Sequence, residues 1–525
     1  MKKLIIVLLL LLSACTPKVV EPKRKTVNEL EEILKDADAE AFEQDVSTAY
    51  SLFPIAFADS DNNNKGDLKG IISKLNYLND NDPTTDTDLG IDAIWFNPIY
   101  PSATYHKYDI DDYKAIDRDF GTIDDFKTLI TEAHKRNIKI ILDMVFNHTS
   151  DTHPWFVKGI AGTKPFDEYY MIKTQIKMSD YPSNAGWHGK NSKMYFGGFW
   201  NEMPDLNAEN ELVRAELRSV LDFWMELGVD GFRFDAVTQV YATNEYPKGN
   251  PNLSMSKQFW MEMKAYIESK DKDIFTVGEA WETANLAASY AAGFDSVFNF
   301  DLAQGIVNAV ENGSAPNLMD NYINGKAVFD AKTDHYVDAI FLTNHDQNRI
   351  MSEVSGDIDK AKLAANILFT LPGIPFVYYG EELGMKGMKP DEHIREPFVW
   401  TKGTSIPMAD WVENQYNKTT PSYEEQVLDQ NSMFHHYRKW IALRKDNAIL
   451  RFGEIQKVQT TFSLIGFTRT YESKTWLILH NVSNIEQVYT LNKSGTIIHS
   501  SKSSTSVVDL SVTLSPRSTL IMEIN

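Results

Sequence analysis

The chain has 525 residues, too many for one small domain and enough to bury a large core split over two or three units. Its 73 acidic against 52 basic side chains leave a formal net charge of −21, which argues against nucleic acid and against electrostatic docking on anionic lipid. The aromatic fraction of 12% fits a well-filled core and also surfaces on which sugars stack, and composition alone favours the core.

The chain opens "MKKLIIVLLLLLSAC": a basic start, a short apolar stretch and small residues at its end. That is the layout of a signal peptide over residues 1–15. Cys15 is the only cysteine, so no intrachain disulfide forms. Leu12-Ser13-Ala14-Cys15 resembles a bacterial lipobox. The resemblance implies that Cys15 carries lipid and that the mature protein is held at a membrane, outside the cytoplasm, without a spanning helix. Residues 16–45 are polar and charged and are expected to form a tether, with a short helix near 28–42.

From Thr48 onward short apolar runs alternate with amphipathic stretches. "TIDDFKTLITEAHKRN" begins with a capping pattern, Thr122 and Asp125, and places Phe126, Leu129, Ile130 and Ala133 at helical spacing. "IKIILDMVFNH" then reads as a strand. "ELVRAELRSVLDFWMELG" repeats the helix, with Leu217, Val220, Leu221 and Trp224 on one face, and "VDGFRFDAV" is the strand after it. The further strand candidates are "SLFPIAF", "IDAIWFNP", "IFTVGEA", "SVFNF", "AIFLTNHD" and "IPFVYYG", eight in all. Strands alternating with helices imply a parallel sheet of the α/β class, and eight of them fit a (β/α)8 TIM barrel. The barrel is expected over 46–148 and 208–447. Residues 149–207, too long for a plain loop, are expected to form an inserted subdomain after strand 3. From 448 to 525 the helical pattern stops and a C-terminal β-sandwich is expected.

The chemistry lies at the strand ends. On a strand successive side chains face opposite ways, so Phe232 and Phe234 share one face, and Arg233 and Asp235 the other. Near the C-terminal end of a barrel strand the interior face opens into the active site. Arg233 then pairs with Asp235 and favours its ionised form. "TVGEAW" places Glu279 at a second strand end, "FLTNHDQNR" places His345 and Asp346 at a third, and "ILDMVFNH" places Asp143, Asn147 and His148 at a fourth. Two carboxylates flanking a bond, one ionised and one protonated, are what glycoside hydrolysis needs. The same set also suits a metal.

"DMVFNH", "GFRFDAV", "VGEAW" and "FLTNHD" resemble the four signature motifs of the α-amylase family, glycoside hydrolase family 13, in order and on the expected strands. "MPDLN" at 203–207 and "GIPFVYYGEELG" at 373–384 resemble two more. The resemblance runs from about Thr48 to the C-terminus. It implies that Asp235 is the nucleophile, Glu279 the general acid and base, and Asp346 the third carboxylate gripping sugar hydroxyls. It implies that Arg233 orients Asp235, that His148 and His345 donate to the sugar before the cleavage point, and that Tyr108 is the platform on which that sugar stacks. The implied outcome is retention of configuration on an α-glucan, by a monomer.

"DSDNNNKGDLKG" sets Asp59, Asp61, Asn63 and Asp67 at near-alternate positions, with Gly66 allowing a turn. Such oxygen ligands, with the Lys65 carbonyl, suit one structural Ca²⁺, and spacing alone fits a solvated acidic turn equally well. The family resemblance favours calcium, because many members carry such a loop after the first strand. "DAVTQV" lacks the Lys-His that often follows the nucleophile, which puts a second calcium site in doubt. Tyr105 stands where exo-acting α-glucosidases often have an acidic residue, which leans toward an open, endo-type cleft. "MPDLN" resembles members between oligo-1,6-glucosidases and neopullulanases. Cyclomaltodextrinase, neopullulanase or glucanotransferase activity is the alternative. A non-catalytic glucan-binding protein is disfavoured by the presence of all three carboxylates. Trp155, Trp187 and Trp200 in the insertion are expected to be subdomain core rather than sugar platforms.

Overall fold

The computed structural model describes residues 24–35, 40–175, 186–241, 253–271, 273–333, 336–403 and 408–524. Cys15 and the signal segment lie outside the described residues. Eight parallel strands form one sheet: β1 (Ala49–Leu52), β2 (Ala93–Phe96), β3 (Lys139–Met144), β4 (Gly231–Phe234), β5 (Phe275–Gly278), β6 (Ser296–Val297), β7 (Ala339–Phe341) and β8 (Ile374–Tyr378). Their order in the sheet is β7-β8-β1-β2-β3-β4-β5-β6. A parallel bridge between Phe298 and Ala339 joins the two ends and closes the barrel.

"SLFPIAF" is not one strand. β1 ends at Leu52, and Pro54–Phe57 turn at once into a short helix, because proline has no N–H to give a ladder and is well placed in a helix's first turn. The helix expected from Thr122 is present as Ile123–His134. Thr122 Oγ1 accepts from the Asp125 N–H, and Asp125 accepts from the Thr122 N–H. The helix Glu211–Glu226 buries Leu217, Val220, Leu221 and Trp224.

Residues 24–35 and 40–45 are not a loose tether. The helix Val27–Leu34 buries Leu30 against Met261 and Ala265. The helix Glu40–Asp45 places Phe42 flat on Phe275, ring centroids 4.1 Å apart, within the apolar cluster that fills the barrel. Two apolar anchors suffice to dock the segment, too few to change its polar composition.

Barrel side chains divide as the period of two requires. Phe232 and Phe234 belong to the large outer cluster shared with the helices. Ala49, Ala93, Trp95, Ile141, Val277, Phe341 and Phe376 fill the interior. Arg233 stands on this inner layer, its guanidinium 5.1 Å from the Trp95 ring centroid.

The insertion leaves and returns at one place, for His148 and Asp205 bridge one another. It carries the helix Pro154–Ile160 and a small antiparallel sheet of Ile172–Lys173, Lys193–Phe196 and Trp187–Lys190. Trp187 is buried on Phe196, and Trp155 packs between His153 and Tyr169, so both serve the subdomain. After Phe452 the chain forms a five-stranded and a three-stranded antiparallel sheet around Leu464, Leu477, Leu479, Val512 and Leu520. Arg469 and His480 of the larger sheet bond Thr370 on the barrel helix Ile358–Thr370.

Candidate active site

Arg233 is fully buried and is the hub of the rim. Its Nη1 donates to both oxygens of Asp143 at 2.7 and 2.8 Å and to Asp235 at 2.8 Å, and its Nη2 lies 2.9 Å from Glu279. The sequence pairs Arg233 with Asp235 alone. Asp143 is its in-register neighbour on β3, and Glu279 stands just past the end of β5, the strand beside β4. One guanidinium thus faces three carboxyl groups.

Such a set does not ionise fully. Burial raises the Asp235 carboxyl, with Arg233 opposing it, and a hydrogen bond from Glu279 favours the Asp235 anion. Burial also raises Glu279, Arg233 again opposing, and the charges of Asp235 and Asp346 push it further up. Burial pushes Asp143 up to about 8. The two environments push the carboxyls apart: the charge of Asp235 raises Glu279, whereas Glu279 favours the Asp235 anion, which suits Glu279 to the acid role and Asp235 to the anionic one.

Asp346 differs. Burial works against its anion, but His345 and Arg395 outweigh it and hold the carboxyl well below the usual range. His345 Nε2 lies 3.1 Å from Asp346, and Arg395 Nη2 donates to it at 2.8 Å. Arg395, in "HIREPF", was missed in sequence: one cation beside an apolar run carries no spacing signal.

Burial lowers His148 to about 4 and lowers His345 as well. His148 is fully buried, and the Tyr108 backbone beside it favours its proton. Tyr108 accepts from the Asn97 amide at 3.0 Å, lies 3.1 Å from Asp143 through its hydroxyl, and meets His345 Nε2 at 2.7 Å. Its ring runs parallel to that of His345. The structure thus gathers Tyr108, Arg233, Asp235, Glu279, His345 and Asp346 through direct contacts. His148 stands at the end of β3 beside them, with Phe199 of the insertion, half exposed, 5.3 Å from its ring.

The acidic loop lies elsewhere, after β1. Asp59, Asp61 and Asp67 bring one carboxylate oxygen each within 4.8 Å of one another. Asp59 accepts from the N–H groups of Asp61, Asn62 and Asn64, and Asp67 accepts from Ser60 and caps the helix Leu68–Leu78. Asn63 Oδ1 accepts from the Lys65 N–H, and Lys65 sends its ammonium to Asp119, 2.6 Å away. Gly66 serves a close approach rather than a special turn: a Cβ there would meet the Pro54 carbonyl at 2.1 Å. The donor set is all oxygen, anionic and convergent, which fits a hard cation such as Ca²⁺.

A closed (β/α)8 barrel whose rim gathers a carboxyl pair on one buried arginine, a separate carboxylate on a second arginine and two buried histidines defines a class: the two-carboxylate glycosidases. Residues 51–453 match the description "Alpha amylase, catalytic domain", and residues 464–521 match "Alpha-amylase SusG C-terminal domain". The chain belongs to the α-amylase family. It is 40% identical over 448 residues to alpha-amylase 3 of Dictyoglomus thermophilum, covering 84% of this chain and 86% of that one. It is 31% identical to the 4-alpha-glucanotransferase of Thermotoga neapolitana, covering 84% of this chain and 96% of that one. The crystal structure of an alpha-amylase from H. orenii superposes with a TM-score of 0.84 at 35% identity, covering 92% of this chain and all (100%) of the other.

Proposed function

We propose that the protein is a retaining α-glucan hydrolase that cleaves α-1,4-glucosidic bonds in starch and maltodextrins. The observation that carries this is geometric: Asp235 and Glu279, from neighbouring strand ends, meet on the one buried guanidinium of Arg233. Asp235 attacks the anomeric carbon while Glu279 gives its proton to the leaving oxygen. The glycosyl-enzyme ester that results is hydrolysed by water, whose proton returns to Glu279. Asp346, kept ionised by Arg395, grips hydroxyls of the sugar under attack. His148 and His345 hydrogen-bond the same sugar, and Tyr108 supplies its stacking face.

Product analysis on amylose, pullulan and cyclodextrin tests the reading. Shorter linear maltodextrins with new reducing ends, and little product longer than the substrate, are expected. Products mainly longer than the substrate would assign glucan transfer instead, the alternative that the Thermotoga neapolitana relative supports.

The same proposal places one Ca²⁺ on Asp59, Asp61 and Asp67, where it offsets their mutual repulsion and ties the loop to the barrel, away from the reacting atoms. At free cation a hundredfold above Kd the ion stabilises the fold by about 2.7 kcal/mol. Chelation is therefore expected to lower Tm by several degrees, with recovery on adding Ca²⁺, and the Asp61→Ala variant is expected to lose this response. A Tm indifferent to chelator and Ca²⁺ in the wild type refutes the site. Lipid attachment at Cys15, outside the cytoplasm, completes the proposal. It rests on residues 1–15 and is checked by labelling cells with radioactive palmitate. Among the described residues no helix is long and apolar enough to cross a membrane.

A further inference from the structure

Tyr105 and Trp411 stack on one another, ring centroids 4.6 Å apart and planes 26° from parallel, and both keep part of their surface exposed. They come from distant parts of the chain and are locked together by Arg395. Its Nη1 donates to the Tyr105 hydroxyl at 3.2 Å, and its carbonyl accepts from the Trp411 indole at 3.2 Å. The same guanidinium holds Asp346, and its Nε bonds the His345 carbonyl. The aromatic pair is thus one side chain away from the carboxylate that grips the sugar under attack.

The side on which the pair stands is fixed by the barrel. Tyr105 follows β2 and Trp411 follows β8, and both pack on Phe53, which follows β1. The pair therefore sits over the arc β8-β1-β2. Glu279 stands at the end of β5, four strands from β1 in a ring of eight. The acid marks the leaving-group side of the bond. A glucan whose leaving group lies toward Glu279 and whose chain crosses the barrel mouth would then run its non-reducing side toward the aromatic pair.

We propose that Tyr105 and Trp411 form a stacking wall for the glucosyl residue next to the one under attack, on its non-reducing side, and so set where along an α-glucan the chain is cut. This rests on the hydrolase reading above. Aromatic faces bind the apolar faces of pyranose rings, and a rigid, preassembled wall loses little conformational freedom on binding. Arg395 couples the wall to Asp346, so the two neighbouring sugars are held in one frame.

Maltopentaose labelled at its reducing end reads the effect within a single reaction. Cutting off one glucose from the non-reducing end leaves the wall empty, whereas cutting off maltose or more fills it. In the wild type single glucose is expected to be the minor non-reducing product. Trp411→Ala and Tyr105→Leu are each expected to raise its share about tenfold relative to maltose, and Trp411→Phe to restore most of the wild-type pattern. The shares do not depend on how much protein is folded. Unchanged shares overturn the proposal. So does a wild type that releases mainly glucose and a Trp411→Ala variant that releases maltose, since the pair would then close the cleft rather than line it. A crystal of Asp235→Asn with maltopentaose reads the same point with the wall intact. A pyranose ring within about 4.5 Å of Trp411 or Tyr105 is expected, and a bound chain that avoids both overturns the proposal. A wild type that cuts no maltopentaose at all refutes the hydrolase reading instead.

Discussion

Asp235→Asn is expected to lower kcat on starch by on the order of 10⁴-fold or more, the scale on which removing one member of a covalent catalytic set acts. The fold should survive, because the change removes a buried carboxyl whose ionisation burial already opposes. Arg233 keeps Asp143 and Glu279 as partners, and an asparagine still accepts from its Nη1. The loss should therefore appear in kcat, with Tm within a few degrees of wild type and with starch binding retained. The substitution also alters Glu279. Removing a nearby negative charge lowers the Glu279 pKa, so the variant's acid is deprotonated more readily at neutral pH. Asp235→Asn thus weakens both the nucleophile and the acid of the first displacement. External azide, a small anionic nucleophile, is expected to restore part of the rate with an activated aryl glycoside by attacking where the carboxylate was, and the azide product should have inverted configuration. Rates within tenfold of wild type, in protein shown free of wild-type contamination, would remove Asp235 from the mechanism.

How much of this was legible beforehand depends on how local the signal is. The strand period of two placed Arg233 and Asp235 together and away from Phe232 and Phe234, and the helix periods and the Thr122 cap were equally local. What escaped was set by contacts across the chain. Phe42 gives no pattern in a charged segment, yet the barrel floor needs its ring. Arg395 gives none either, because its partners Tyr105 and Asp346 are distant in sequence and are brought together only when β2, β7 and β8 take their places in the ring. Asp143 was visible at a strand end, but its bond to Arg233 follows from the pairing of β3 with β4, which sequence order alone does not reveal across an insertion as long as 149–207. Of the three tryptophans expected in the subdomain core, Trp187 is buried and Trp155 half-buried there, but Trp200 is exposed, because nothing in its local sequence tells an inward ring from an outward one.

Arg233→Met carries the second large effect, on stability and activity together. The wild-type cation is buried with three carboxyl groups and offsets the cost of whichever are ionised. Removing it leaves Asp143, Asp235 and Glu279 without a cation in direct contact, and breaking a buried pair in this way costs about 3–5 kcal/mol. That is a large part of the 5–15 kcal/mol by which domains are stable at all, so a clear fall in Tm and in soluble yield is expected. The carboxyls respond by holding their protons more tightly. Arg233 lowers the pKa of all three groups, so its loss raises them, and Asp235 becomes protonated at a pH where the wild type is ionised. The acidic limb of the kcat/KM profile should shift to higher pH, since it reports the anion of the nucleophile, and the alkaline limb should shift the same way with Glu279. Adding Asp143→Asn to Arg233→Met is expected to recover part of the lost stability, because one buried acid fewer remains uncompensated, but little of the activity, because Asp143 takes no part in bond making. This non-additivity separates the two roles of Arg233. If Arg233→Met has the wild-type Tm and the wild-type pH profile, the guanidinium is neither the electrostatic support of the site nor the reason a charged strand can lie inside the barrel.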